Sequence, residues 1–153
     1  MKTLEGSYSQ EGTFEFVEEY KEDDFSRGKL VFTDRESRNE MDYVLEGKGK
    51  ILTLRNRIFI KEGTKGSGLL NGVYSDSNPY SSVSLSFTGN KFKLVHGSNE
   101  SVGFYELFET ENKEGVSKGI LGLTVENTGG KVYGRYTIEG DVLKFNAMSL
   151  TKK

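Results

Sequence analysis

His96 is the single imidazole of this 153-residue chain, and there is no cysteine. A thiolate zinc site, a cysteine nucleophile and any site needing two imidazoles are therefore excluded. His96 closes the run 92–95 and precedes Gly97, where an exposed turn is expected, and no G-x-S-x-G elbow leading into a helix accompanies it. It reads as a surface histidine rather than a general base. Residues 63–68 spell G-T-K-G-S-G, which satisfies neither phosphate-loop spacing and leads into no helical pattern. With 23 acidic residues, carboxylate pairs are unavoidable and say nothing about glycoside hydrolysis. The densest acidic group, Glu15, Glu18, Glu19, Glu22, Asp23 and Asp24, lacks the ligand order, central glycine and closing glutamate of a helix–loop–helix calcium loop. A solvated strand end and turn is the simpler account. The residues point to no catalytic group, no metal and no cofactor, and so away from an enzyme.

Aromatic side chains are the remaining chemistry. Tyr74, Tyr105, Tyr133 and Arg135 are the candidate ligand-binding residues, able to line the mouth of a pocket or a partner contact. Tyr133 and Arg135 flank Gly134 and share one face of a strand, opposite to Tyr136. Nucleic-acid stacking would need a basic groove around such rings. Lys91, Lys93 and Lys131 are too few for one, and 21 basic residues nearly balance the acids, so no nucleic-acid partner is expected. No run approaches the roughly 20 apolar residues that span a bilayer. Residues 1–10 have no apolar stretch of the kind a secretion leader carries. Absence of cysteine suits a reducing cytosol and equally an exported or cell-envelope domain whose leader has been removed, so the compartment stays open.

The elements that must position these groups are strands. Apolar residues alternate with polar ones at Phe14 and Phe16, at Met41, Tyr43 and Leu45, and at Ile58 and Ile60. The same period recurs at Val83, Leu85 and Phe87, then Phe92 and Leu94, and again at Leu121, Leu123 and Val125. Val132, Tyr136 and Ile138, then Leu143 and Phe145, complete the series. A period of two with one dry face is the mark of half-buried strands, and no sustained helical period competes with it. Residues 104–108 suit strand through their aromatics. Thr88-Gly89-Asn90, Glu139-Gly140-Asp141 and the stretch 46–50 sit at hairpin positions, with Gly129-Gly130 ahead of another run. Pro79, the only proline, lies in a polar loop. About a dozen short strands imply an all-β antiparallel sandwich or barrel, and closure into a barrel would leave no edge to aggregate.

Two phrases occur twice in the same order. Leu4-Glu5-Gly6-Ser7-Tyr8-Ser9 matches Leu70-Asn71-Gly72-Val73-Tyr74-Ser75, and Tyr43-Val44-Leu45-Glu46-Gly47 matches Tyr136-Thr137-Ile138-Glu139-Gly140. They define a pseudo-repeat, 4–62 and 70–150, joined by a glycine-rich connector at 63–69. A lone 60-residue β unit buries only about 60% of its surface and is marginal without disulfides or metal. One domain over 1–153 with a shared core is therefore expected, with two small β-domains as the alternative.

The opening L-x-G-x-[WY] strand and the closing Y-x-I-x-G-D-x-L-x-[FL] hairpin resemble bacterial lipocalin-like domains of the calycin type. The residues that carry this are 70–74 and 135–145, with a looser match in the first half, where Lys48-Gly49-Lys50 replaces the single Asp141. The resemblance implies an antiparallel lipocalin-like β-barrel built from two related halves and a non-enzymatic role, binding a small apolar ligand; it transfers no catalytic residue. The inferred dry faces hold almost no polar residue, which favours a packed interior and binding at loops, the longest polar stretches being 75–80 and 110–118. The alternative function is a protein–protein interaction or protease-inhibitor-like barrel with no small-molecule ligand.

Overall fold

The computed structural model describes residues 11–76, 80 and 82–153, together with the backbone of 2–4 and 7–9. Fifteen strands are formed among the described residues, and every pairing is antiparallel. The chain divides into two compact units, Met1–Glu62 and Gly63–Lys153, at the start of the glycine-rich connector.

The first unit begins with a short hairpin, β1 (Lys2–Leu4) and β2 (Ser7–Ser9). A five-stranded meander follows: β3 (Thr13–Glu22), β4 (Phe25–Thr33), β5 (Arg38–Glu46), β6 (Ile51–Leu54) and β7 (Arg57–Ile60). Its strands lie in sequence order, so the sheet is open and has β3 and β7 as its edges. Register decides which side chains share a face, because neighbouring residues point to opposite sides. Phe16 stands opposite Leu30, Leu30 opposite Met41, Tyr43 opposite Leu54 and Leu52 opposite Phe59. One face is therefore nearly all apolar, knit by an edge-to-face contact between Phe16 and Tyr43 at 5.0 Å. Ile58 and Ile60, read from the sequence as companions of that alternation, pair with Thr53 and Ile51 and lie on the other face.

The second unit is a closed barrel of eight strands. These are β8 (Gly72–Ser75), β9 (Val83–Thr88), β10 (Lys91–His96), β11 (Asn99–Lys113), β12 (Val116–Val125), β13 (Lys131–Glu139), β14 (Val142–Phe145) and β15 (Met148–Lys152). Closure is made where Thr151 and Lys152 of β15 pair with Ser75 and Tyr74 of β8. The interior is a continuous apolar cluster in which Leu85, Leu121 and Leu143 have no exposure. At eight strands a barrel is just wide enough for its own side chains to fill it or for one small ligand. Gly119 and Gly103 mark places where a neighbouring strand comes too close for a side chain: a Cβ at Gly119 would meet the Phe108 carbonyl oxygen at 2.0 Å.

The all-β antiparallel class and the closed barrel agree with the sequence reading. Where the sequence suggested one barrel assembled from two related halves, all eight closing strands come from residues 72–152, and residues 13–60 form a sheet of their own. The hairpin positions at Gly47, Gly89 and Gly140 are occupied by left-handed glycines, as such turns require. The connector is not free along its length. Ser67 exchanges two backbone hydrogen bonds with Leu107, at 3.0 and 2.7 Å, so this segment caps the bare edge of β11. Residues 110–118 are not a loop either: all but Glu114 and Gly115 are strand. Pro79, and Glu5 and Gly6 of the first repeated phrase, lie outside the described residues.

Candidate functional site

The four candidate residues fall in two separate places. Tyr74 and Tyr105 are buried inside the barrel, bridged by Phe87, whose ring lies 6.1 Å from Tyr74 and 4.8 Å from Tyr105, both edge to face. The Tyr105 hydroxyl sits 2.8 Å from the Leu70 carbonyl and 2.7 Å from the Gly89 carbonyl and donates between them. It therefore fastens the connector and the β9–β10 turn to the barrel floor. Burial raises the phenol pKa of both residues, and for Tyr105 the hydrogen bond to Leu70 opposes that shift. Tyr133 and Arg135 stand on the outer face of β13, opposite Gly122 and Ile120 respectively. The Tyr133 ring covers Gly122, so closely that a Cβ there would lie 2.8 Å from the ring, and it meets Phe108 edge to face at 6.4 Å. Arg135 is exposed beside it.

A small polar network lies at the bulged end of the barrel. The hydroxyls of Ser117 and Tyr136 are 2.9 Å apart, and Ser117 Oγ donates to Glu109 at 2.8 Å. A bulge between Glu109 and Glu111 turns the strand here, opposite Gly119. Burial pushes the Tyr136 phenol up; the Ser117 bond lowers it, and the Glu109 charge adds a smaller rise. The phenol is therefore neutral at ordinary pH, and the network is structural in character, with Glu109 as its solvent end. His96 is exposed at the end of β10, opposite Val83 and Asn99.

The open sheet of the first unit carries the more distinctive feature. A groove of about 700 Å³ runs over its apolar face, floored by Phe32, Met41, Leu54 and Phe59, with Asn39, Arg55, Asn56 and Arg57 at the rim. That volume falls within the range of small-molecule sites, about 300–1,000 Å³, and the lining has their usual make-up, an apolar floor with a few polar groups. The β6–β7 hairpin positions the rim: Leu54 pairs with Arg57 across a two-residue turn, and Arg55 takes a left-handed φ of 55° there. Comparison with protein families, curated proteins and solved structures finds no match.

None of the groove residues was singled out from the sequence. The one signal present was a run of mixed character, Arg55-Asn56-Arg57 between Leu54 and Ile58. It reads as a solvated turn until the register shows that Leu54, Arg57 and Phe59 share a face with Met41. Among the described residues no helix is long and apolar enough to cross a membrane.

Proposed function

We propose that this chain is a non-enzymatic, lipocalin-like binding protein whose ligand site is the groove on the open sheet of the first unit, not the lumen of the barrel. The groove carries the reading: an apolar floor of four side chains under a polar rim, with about 700 Å³ of space, whereas the barrel's leucines and aromatics form one buried cluster. The packed cluster inside the barrel stabilises the fold. The ligand class is a small, mainly apolar molecule.

Titration with an apolar fluorescent probe such as anilinonaphthalene sulfonate tests this. Saturable binding is expected, weakened about tenfold or more by Phe59→Glu, which puts a charge on the floor at a position already 46% exposed. Absence of saturable binding, or equal binding by the variant, overturns the proposal.

Protein–protein contact is the second reading, and one observation favours it. The edge strand β3 is exposed along all ten residues and displays Phe14, Phe16, Val17 and Tyr20. A strand partner adding to that edge would be sensitive to a proline at Val17 and indifferent to Phe59→Glu.

A further inference from the structure

Strand register reveals what the groove is. In β3–β4, Glu18 pairs with Gly28 and, after a one-residue bulge, Tyr20 with Arg27. In β11–β12, Glu109 pairs with Gly119 and, after a one-residue bulge, Glu111 with Lys118. The same pairs recur 91 residues later, bulge and glycine included. Gly28 faces Tyr43 as Gly119 faces Tyr136. Leu54 pairs with Tyr43 and Arg57 as Phe145 pairs with Tyr136 and Met148. Both glycines are obligatory by the same contact, since a Cβ at Gly28 would meet the Val17 carbonyl oxygen at 2.0 Å. The open sheet β3–β7 is thus the counterpart of the barrel segment β11–β15, and among the described residues no strand pairs with β3 as β10 pairs with β11.

This correspondence maps the groove floor onto the barrel lumen. Phe32, Leu54 and Phe59 take the places of Leu123, Phe145 and Leu150, which are at most 6% exposed inside the barrel. In the barrel, Leu85, Phe87 and Phe92 of the covering hairpin belong to the same cluster. Among the described residues no side chain takes the place of that covering hairpin over the open sheet, and apolar positions that are core in the barrel line the groove. The rim departs from the template in one respect. Arg55 and Arg57 stand where the barrel has Asn146 and Met148, and neither arginine is in an ion pair among the described residues.

Resting on the binding reading above, we propose that the groove takes an amphipathic anion, a long-chain monocarboxylate. Its chain replaces the apolar cover that β9 and β10 give the barrel, and its carboxylate is held by Arg55 and Arg57. Two guanidiniums that form no ion pair among the described residues, at the rim of an apolar trough, supply charge complementarity for such a head group, and a planar carboxylate suits the guanidinium fork. Asn39 and Asn56 add amide donors beside them.

The test is competition by dodecanoate, dodecanol and phosphatidylglycerol vesicles against a bound apolar probe, in the full chain and in the Arg55→Asn/Arg57→Met double variant. That variant installs the barrel's own residues, and asparagine suits the left-handed backbone at position 55. The native chain is expected to bind dodecanoate about tenfold more tightly than dodecanol. The variant is expected to lose that preference while keeping its dodecanol affinity, with an unchanged far-ultraviolet spectrum. Equal affinity for the two ligands in the native chain, or a preference that survives in the variant, overturns the anion proposal and leaves the apolar site standing. Binding of vesicles but not of monomeric dodecanoate overturns it in favour of a lipid surface. Failure of both dodecyl ligands and of the probe to bind overturns the site itself.

Discussion

Tyr74, Tyr105 and Tyr136 bury their rings in the barrel, and each phenol is held above its ordinary value of 10.0, chiefly by burial. A raised folded-state value means that folding favours the protonated phenol. Its contribution is complete below about pH 10, the unfolded value, and is lost as pH rises through the folded value. Urea midpoints are therefore expected to fall as pH rises above about 10, and Tyr136→Phe is expected to flatten that decline by removing one titrating group. At neutral pH the same variant loses the hydrogen bond to Ser117 and is expected to cost about 1 kcal/mol. A decline of unchanged steepness in Tyr136→Phe would assign the alkaline sensitivity to other groups. The Tyr133 ring lies on the outer face of β13, where it shields Gly122 rather than filling the lumen.

The strand pair with a bulge opposite a glycine is the recurring element, and its geometry explains why glycine stands at both positions. In each copy the partner strand's carbonyl oxygen occupies the space a Cβ would need, so Gly119→Ala and Gly28→Ala must push the backbone apart. The expected loss is about 3 kcal/mol in each case, the upper end for overpacking, read as a lowered urea midpoint of the unit concerned. Gly129→Ala, at an open turn with φ 69° and nothing within 4 Å, is expected to cost only about 1 kcal/mol. Period two in the sequence disclosed eight of the fifteen described strands, missing β4, β6 and β15 among others, and Gly89 and Gly140 disclosed their turns, because these signals are local. The bulges were not legible. One extra residue at Glu19 or Thr110 reverses the facing of everything beyond it, so Phe16 lies over the groove face while Tyr20 lies on the other, against Arg27 at 5.2 Å. Facing at β7 escaped for a related reason: Ile58 and Ile60 are as apolar as the Phe59 between them, and only the pairing of Leu52 with Phe59 and of Tyr43 with Leu54 decides between the faces.

At the scale of the whole chain, the glycine-rich connector was visible in the sequence, but closure of one sheet and not the other was not. Closure depends on whether the chain returns a strand to the far edge, as β8 does for β15, and composition is blind to that. The consequence for stability is unequal. The barrel buries a cluster from Tyr74 to Leu150 and has paired edges along most of its circumference, whereas the first unit keeps Phe14 67% and Phe16 45% exposed on an open sheet. A small domain buries a modest fraction of its surface even when closed, and an open one of about 60 residues is marginal. The fragment Gly63–Lys153 is therefore expected to fold alone, with a cooperative urea transition and the near-ultraviolet tyrosine signal of a packed core. The fragment Met1–Glu62 is expected to lack that cooperativity and to gain it when the groove is occupied by a saturating long-chain ligand, since binding to the folded state alone raises stability with ligand concentration. If the barrel fragment fails to fold while the intact chain unfolds in a single transition, the two units depend on a common core instead. The ligand-dependent gain separates these cases, because a shared core would make the stability of both units rise together.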